Sequence, residues 1–322
     1  MHTSKFFKLF PPPRYMDMRH AGLEISDDAV RCLQYSASAD KRKILKFASV
    51  KMNDRIVVGG DIVDEKAFSE LLMDFSRKNS LSYVKVSVPE EKAYLFQTDV
   101  PDESLQAISQ NIESKLEENV PLAAADAVFY FDILPVSVTS GALRASVSVV
   151  PRAYIEYALK LLRNAGMPPV GFEVVPKAIA RAIIPPDNES TIMIIHVMNK
   201  KTGVYIVSGG VVCFTSTVGW GSRATESGDI GDVAVLAKEI GRIHAYWMSH
   251  SIINSPIERV ALLGSGMLSC EAAIKKAVSE ASLVASAANA WENAFSVDDY
   301  VPPISREDSL DYAVVAGLAM DL

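Results

Sequence analysis

Apolar and polar residues alternate in short runs between Thr191 and Val218, and this alternation predicts three antiparallel strands. The segment reads TIMIIHVMNKKTGVYIVSGGVVCFTSTV, with a polar turn after the first strand and a Gly209-Gly210 hairpin turn after the second. The same order of strands and polar turns occurs in GLEISDDAVRCLQYSASADKRKILKFASVKM, which begins at Gly22. Two copies of one unit indicate two related half-domains.

Helical and strand periods alternate along the rest of the chain, which indicates an α/β fold. Residues 97–169 predict a strand, a helix, two strands that pair across the Thr139-Ser140-Gly141 turn, and a helix that ends at Ala165-Gly166. We expect this segment to form a compact inserted lobe. The predicted helices are Asp64–Lys78, Asp102–Glu118, Arg152–Asn164, Pro176–Ile183, Val233–Ser249, Ser269–Ala281 and a closing helix, Ser309–Met320. The other predicted strands are Ser82–Val88, one from about Gln97, Ala127–Val136, Ala142–Val150 and Arg259–Leu263.

Composition excludes several classes of protein. The net charge of -7 and the pI near 5.4 argue against a nucleic-acid-binding role, which needs a clustered basic surface. Cys32, Cys213 and Cys270 lie far apart without a CxxC spacing, so we expect neither a disulfide framework nor a zinc site. We expect the protein to be located in a reducing cytosol. No run approaches the roughly 18 apolar residues of a membrane span.

The first residues, MHTSKFFKLFPPPRYMDM, place four apolar side chains beside Lys5 and Lys8 and then three prolines. One interpretation is a short amphipathic foot for a membrane or a partner. The other is a tail that packs on its own domain or is disordered, and the short length favours this second interpretation.

Five segments, taken in order, resemble the PilM family, the cytoplasmic actin-like proteins of type IV pilus assembly. They are VSVPEEKAYLFQTDVP, PRAYIEYALKLLRNAGMPPVGFEVVPKAIARAI, VALLGSGML, WENAFSV and YAVVAGLAM. The resemblance runs from about Gly22 to Met320 and implies an α/β, two-lobed actin-like fold of the duplicated ribonuclease H-like type. It also implies an inserted 1C-type subdomain and, because only VGWGSRATESGDIG precedes the next helix, a reduced fourth subdomain.

The resemblance divides the chain as follows: leader 1–20; first core subdomain (1A) 21–96 and 170–188; inserted subdomain (1C) 97–169; second core subdomain (2A) 189–218 and 244–322; truncated 2B 219–243.

Actin-like ATPases hold nucleotide between two hairpins that are usually built around Asp-x-Gly, whose glycine lets backbone N–H groups approach phosphate. Neither hairpin of this chain keeps that pattern. His196 is a poor substitute for a carboxylate toward magnesium, which prefers oxygen ligands. Asp27 and Asp28 would repel a triphosphate, and the Lys200-Lys201 pair is expected to face solvent more often than to bind phosphate.

We therefore predict a degenerate nucleotide cleft, with no catalytic residue and no metal site. No cofactor is expected, although ATP with magnesium would bind if the cleft still works. Among the family motifs, Gly264-Ser265-Gly266 is the best preserved. The candidate nucleotide-binding residues are Ser26, Asp27, Asp28, His196, Lys200, Lys201, Thr202, Gly264, Ser265 and Gly266.

The resemblance implies an adaptor that binds the N-terminal cytoplasmic peptide of a PilN-like membrane protein and links the PilN/PilO alignment complex to the pilus motor ATPase. It implies a location at the cytoplasmic face of the inner membrane, reached through partners, with homo-oligomers left open. By matching segments, the peptide groove is expected between Val84–Thr98 and Ala127–Val150. Two alternatives are a functional ATP-binding actin-like protein and an FtsA-like filament protein; the second normally ends in an amphipathic membrane helix, whereas this sequence ends at Met320-Asp321-Leu322.

Overall fold

The computed structural model describes residues 19–36, 42–53, 56–135, 142–222, 233–251 and 255–320. The strands are β1 (Ala21–Ile25), β2 (Ala29–Tyr35), β3 (Ile44–Lys51), β4 (Val57–Val58), β5 (Asp61–Ile62), β6 (Val84–Val88), β7 (Tyr94–Val100), β8 (Ala127–Ile133), β9 (Leu143–Pro151), β10 (Pro169–Val174), β11 (Thr191–Val197), β12 (Thr202–Ser208), β13 (Val211–Val218), β14 (Ile257–Leu263) and β15 (Ala285–Ala287). The helices are α1 (Glu65–Asn79), α2 (Leu105–Asn119), α3 (Arg152–Asn164), α4 (Val175–Ile183), α5 (Val233–His250), α6 (Glu271–Glu280), α7 (Arg306–Ser309) and α8 (Ala313–Ala319).

Two five-stranded sheets share one topology, which confirms the predicted duplication. The first has the order β10-β6-β1-β2-β3 and the second the order β15-β14-β11-β12-β13. In each sheet three strands form an antiparallel meander, and the remaining two run parallel to its first strand. The predicted Gly209-Gly210 turn joins β12 to β13 with φ of 54° and 77°, values that glycine adopts without strain.

The two lobes are joined through a pair of tightly packed helices, α4 and α8. A Cβ atom at Gly317 of α8 would lie 1.8 Å from the carbonyl oxygen of Ala178 in α4, so the two backbones are in direct contact. Helix α8 also packs on β1 and β2 of the first lobe, and α4 packs on β13 of the second. Strands β11 and β12 are buried along their whole length and belong to the largest hydrophobic core, which extends through α4 and α8 to Leu33 of the first lobe.

A third, three-stranded sheet with the order β7-β9-β8 forms the insert. Strands β8 and β9 pair antiparallel as predicted, while the predicted turn between them lies outside the described residues. One face of this sheet packs on α2. The opposite face meets the body of the protein: Ser146 Oγ donates to the carbonyl oxygen of Val212 at 2.6 Å, and Gln97 Nε2 donates to that of Cys213 at 3.0 Å.

Two elements at the edges of the predicted insert differ from expectation. Strand β7 begins at Tyr94 rather than Gln97, because residues 94–100 pair continuously with β9. Helix α3, which was assigned to the insert, buries Leu161 and Leu162 in the core of the first lobe beside α1. The domain division itself stays a prediction.

The predicted closing helix, Ser309–Met320, is wrong as a single element. The chain forms α7, leaves the helical path at residues 310–312 and resumes as α8. The interruption carries Asp311, whose carboxylate accepts hydrogen bonds from the backbone N–H and the hydroxyl of Ser265. The other predicted helices and strands lie close to their observed positions, and their ends shift by a few residues. Residues 1–18 of the predicted leader and residues 223–232 of the predicted 2B segment lie outside the described part of the chain.

Candidate functional site

Three turns meet in the cleft between the two lobes: the β1–β2 turn, the β11–β12 turn and the turn that follows β14. Together with Glu24, Arg31 and Asp311 they enclose a cavity of about 20 Å³. A cavity of this size accommodates about one water molecule. The cavity that the described residues enclose here is therefore much smaller than a nucleotide.

Asp28 connects the two predicted phosphate hairpins. Its Oδ2 accepts a hydrogen bond from the backbone N–H of Asn199 at 3.1 Å. In the first hairpin, Ser26 Oγ accepts from the backbone N–H groups of Asp28 and Ala29 and so completes its own turn. The carboxylate of Asp28 thus occupies a backbone donor of the second hairpin, the kind of group that would otherwise approach a phosphate.

Two other candidate residues make structural contacts. The carboxylate of Asp27 accepts from the backbone N–H groups of Gly59 and Gly60 at 2.8 and 2.9 Å, and it fixes the β4–β5 turn. Thr202 is fully buried, and its hydroxyl donates to the carbonyl oxygen of Trp220 at 2.8 Å. The structure therefore does not place either side chain among those that line the cleft.

Buried ionisable groups form the base of the cleft. Burial lowers the pKa of His196 to about 4, and its Nδ1 has no hydrogen-bond partner among the described residues. Burial raises the pKa of Glu24 to about 7, although Arg31, 3.4 Å away, acts in the opposite direction. Arg31 also lies 3.4 Å from Asp311, so one guanidinium serves two carboxylates.

The lysine pair of the second hairpin does not behave as predicted. Lys201 is largely buried and pairs with Glu91 of the first lobe, so its expected exposure to solvent is wrong. Burial lowers the pKa of Lys201, but Glu90 and Glu91 more than offset this effect and raise it overall. Glu90 is itself buried and accepts from the hydroxyl of Tyr205 at 2.9 Å. Lys200 is half-buried at the same turn. These contacts join the lobes beneath the cleft.

In the turn after β14, the glycines allow the close backbone approach that the sequence predicts. Gly264 has φ +87°, and a Cβ there would lie 2.1 Å from the carbonyl oxygen of Val197. Gly266 also approaches that oxygen, since its Cβ would lie 3.0 Å away. Ser265, however, is bound to Asp311 through both its N–H and its hydroxyl. This turn is therefore packed against the protein's own groups.

A larger groove lies between the insert and the first lobe, with a volume of about 400 Å³. The prediction placed it between Val84–Thr98 and Ala127–Val150, and the observed lining includes residues from both segments. It also includes residues of β10, which the prediction missed because β10 reaches the groove only through its pairing with β6. The lining residues are His20, Lys85, Val88, Val128, Phe129, Tyr130, Ser148, Val150, Ile155, Val170, Gly171, Phe172, Glu173, Val174, Lys177 and Met320.

The groove has apolar walls and a charged floor. Exposed Val128 and Tyr130 belong to the wall formed by β8. At the rim, Lys177 lies 3.7 Å from the ring centroid of Tyr130 and pairs with Asp132 at 2.7 Å. At the floor, Lys85 pairs with Glu173 at 3.0 Å. Such a mixture of apolar surface and a few convergent polar groups is typical of a ligand site.

The family model for the type IV pilus assembly protein PilM matches residues 22–228 of the sequence. The chain belongs to this family. No curated protein sequence matches it. Among solved structures, a chain of the PilM-PilN type IV pilus biogenesis complex is similar with a TM-score of 0.78 and 17% identity, over 95% of this chain and 98% of the other.

Two further solved structures are similar at lower scores. The cytoplasmic domain of EpsL, an inner-membrane component of the type II secretion system of Vibrio cholerae, has a TM-score of 0.46 and 13% identity, over 76% of this chain and 82% of that one. A Bacteroides thetaiotaomicron protein with an actin-like ATPase fold has a TM-score of 0.49 and 10% identity, over 87% and 93%. The PilM-family chain has the two-lobed actin-like fold that its sequence predicted.

Sequence reasoning missed several residues of the PilM-family cleft. Glu24 and Arg31 face each other because the register pairs their positions on β1 and β2. That register was a usable signal, since both strands were predicted. Asp311 reaches the cleft only through the tertiary fold, and so do Glu91 and Tyr205 in the contacts beneath it. No local pattern marks these residues. In the described ranges, no group of three or more His, Cys, Asp or Glu side chains is arranged to hold a metal. In the same ranges, no helix has the length and apolar character needed to cross a membrane.

Proposed function

We propose that this chain is a cytoplasmic adaptor of type IV pilus assembly that binds the N-terminal peptide of a PilN-like inner-membrane protein and links it to the pilus motor. The observation that carries the proposal is the 400 Å³ groove between the insert and the first lobe. Membership of the PilM family and similarity to a chain of a PilM-PilN complex support PilN as the partner.

The backbone around the groove suits an extended peptide. Strands β8 and β10 are each the terminal strand of their sheet, and several consecutive residues of each line the groove. Consecutive lining residues mean that the strand edges, and not only one row of side chains, border the space. An extended peptide can pair with such an edge through main-chain hydrogen bonds, while neighbouring pockets select its side chains.

The apolar wall supplies a second source of affinity. Burial of apolar surface contributes roughly 25 cal/mol per Å². Val128, Phe129 and Val150 present such surface to the groove. Micromolar affinity would suffice, because a partner held at the membrane beside other pilus proteins has a raised effective concentration.

We further infer that the nucleotide cleft is vestigial and that the chain is a pseudo-ATPase. The Asp28–Asn199 hydrogen bond and the 20 Å³ cavity support this inference. Lys201, a cation that could attract phosphate, pairs instead with Glu91. The lobes are thus held together by the protein's own side chains.

The test is fluorescence anisotropy with the labelled N-terminal peptide of the PilN-like protein from the same genome, with and without magnesium-ATP. We expect micromolar binding, about -8 kcal/mol, that is the same in both conditions. Val128→Asp should weaken binding at least about tenfold, because it places an unpaired carboxylate against the peptide. Val284→Asp is the matched control, since Val284 is an exposed valine of the second lobe.

Three outcomes separate the alternatives. Binding that requires ATP would contradict the pseudo-ATPase and favour a functional ATP-binding protein. Absence of binding in both conditions would contradict the adaptor. Equal losses in both variants would show that the groove is not the binding site.

A further inference from the structure

Glu173, at the floor of the groove, is the shared partner of two cations, Lys85 and Arg181. Lys85 Nζ lies 3.0 Å from Glu173 Oε2, and the guanidinium of Arg181 binds both oxygens of the same carboxylate. Lys85 and Glu173 are 8% and 9% exposed, so the group is nearly withdrawn from water. The three side chains together carry one net positive charge.

The charges around this group do not remove the excess. Lys177, another cation that lines the groove, is paired with Asp132, so that pair is neutral as a whole. Burial lowers the pKa of Lys85, Arg181 and Lys177 act in the same direction, and Glu173 opposes them. A buried charge without full compensation is unfavourable, and an additional acceptor would relieve it.

Lys85 also has unused hydrogen-bonding capacity on the groove side. An ammonium group carries three donors. Among the described residues, the Lys85 Nζ pairs with Glu173. Lys85 also lines the groove. At least one N–H group is therefore available to a molecule that fills the groove.

We infer that Lys85 is a specificity-determining residue, which donates a hydrogen bond to a side-chain oxygen of the docked peptide, either a carboxylate or an amide carbonyl. This inference rests on the proposed adaptor function. It adds a requirement that the apolar walls do not impose: the partner peptide carries an oxygen acceptor at the position that reaches the floor.

The requirement has a consequence for how the peptide is aligned. An extended peptide with apolar residues on alternate positions can slide by two residues along a strand edge and still present apolar groups to the walls. One buried acceptor opposite Lys85 would be lost in every such shifted arrangement. The residue therefore selects one register as well as one class of partner.

The experiment is a double-mutant cycle with the full chain and the N-terminal peptide of the PilN-like protein. Each Asp, Glu, Asn, Gln, Ser or Thr of the peptide is replaced in turn by leucine or alanine, and every peptide is titrated against wild type and Lys85→Met. At one peptide position we expect a loss of about tenfold or more against wild type, because hydrogen bonds to charged groups have this strength. Against Lys85→Met the same peptide should lose less than about twofold. Whether that position holds a carboxylate or an amide identifies the class of acceptor.

Lys177→Met is the matched control, because Lys177 is a lysine at the rim of the same groove whose charge is already paired. It should leave the position-dependent loss intact. The peptide series on wild type needs no protein variant, so it keeps the test decisive if Lys85→Met fails to fold. Wild-type binding without an acceptor-dependent position, or an equal loss against Lys85→Met, would overturn the inference while leaving the adaptor in place. No binding of the unmodified peptide would instead contradict the adaptor, and the inference with it.

Discussion

Glu24→Gln should change how the stability of the protein depends on pH. Burial raises the pKa of Glu24 from 4.5 to about 7, so the folded state holds this proton at pH values where the unfolded state has lost it. The free energy of unfolding therefore falls as pH rises from about 4.5 to about 7. At about 1.36 kcal/mol for each pH unit, the loss is on the order of 3 kcal/mol.

His196 has the opposite effect at the same cleft. Burial lowers its pKa from 6.5 to about 4, so the unfolded state takes up this proton first as pH falls. The free energy of unfolding then decreases as pH drops from about 6.5 to about 4, again by on the order of 3 kcal/mol. Between about pH 4.5 and 6.5 the contributions of the two residues oppose each other in wild type. Glu24→Gln removes one of them.

We expect Glu24→Gln to gain about 2–3 kcal/mol relative to wild type when the pH is raised from about 5 to 8. His196→Gln should show the reverse, with its relative gain at acidic pH. The assay is urea unfolding at several pH values, followed by the fluorescence of the buried residues Trp220, Trp247 and Trp291. A difference between Glu24→Gln and wild type that stays constant over this range would refute the reasoning.

Three further predictions concern packing, nucleotide and the leader. Gly317→Ala should destabilise the fold by about 3 kcal/mol or more in thermal or urea unfolding, since its Cβ would meet the backbone of Ala178. The control Gly241→Ala, which has open space in α5, should not destabilise the fold. Equal effects of the two substitutions would contradict this prediction. Calorimetry with magnesium-ATP should show neither binding nor turnover, and a dissociation constant in the low micromolar range, about -8 kcal/mol, would disprove the vestigial cleft. Deleting residues 1–13 should leave liposome flotation unchanged, because a short apolar run followed by three prolines cannot form a long amphipathic helix; loss of flotation on deletion would support the amphipathic foot.

The parts of this fold that depend on local periodicity could be predicted from the sequence. Both meanders were identified because alternating apolar residues and glycine turns mark strands and their connections without reference to the rest of the chain. The break in the closing helix could not be predicted from local periodicity. At this break the Asp311 carboxylate accepts a hydrogen bond from Ser265, which lies 46 positions away. The turn at Lys200-Lys201 looked solvent-facing for the same reason: the partner of Lys201 lies 110 positions earlier.

The candidate groove was predicted in part. Two of its segments follow from the family resemblance, but the contribution of β10 depends on parallel pairing with β6 across the whole insert. The charge at its floor depends in turn on Lys85 and Glu173 lying on those adjacent strands. Side chains that act together across strands distant in sequence leave no signal in either strand alone.

Strand β9 connects the groove to the second lobe without passing through the cleft. Ser148 and Val150 border the groove, while Ser146, on the same face of the same strand, is fastened to the backbone of the second lobe. A strand in a paired sheet is a stiff element, so we expect a displacement at Ser148 to be transmitted to Ser146. In the proposed adaptor, docking of the peptide would therefore be communicated to the second lobe through the insert, by a route that does not pass through the nucleotide cleft.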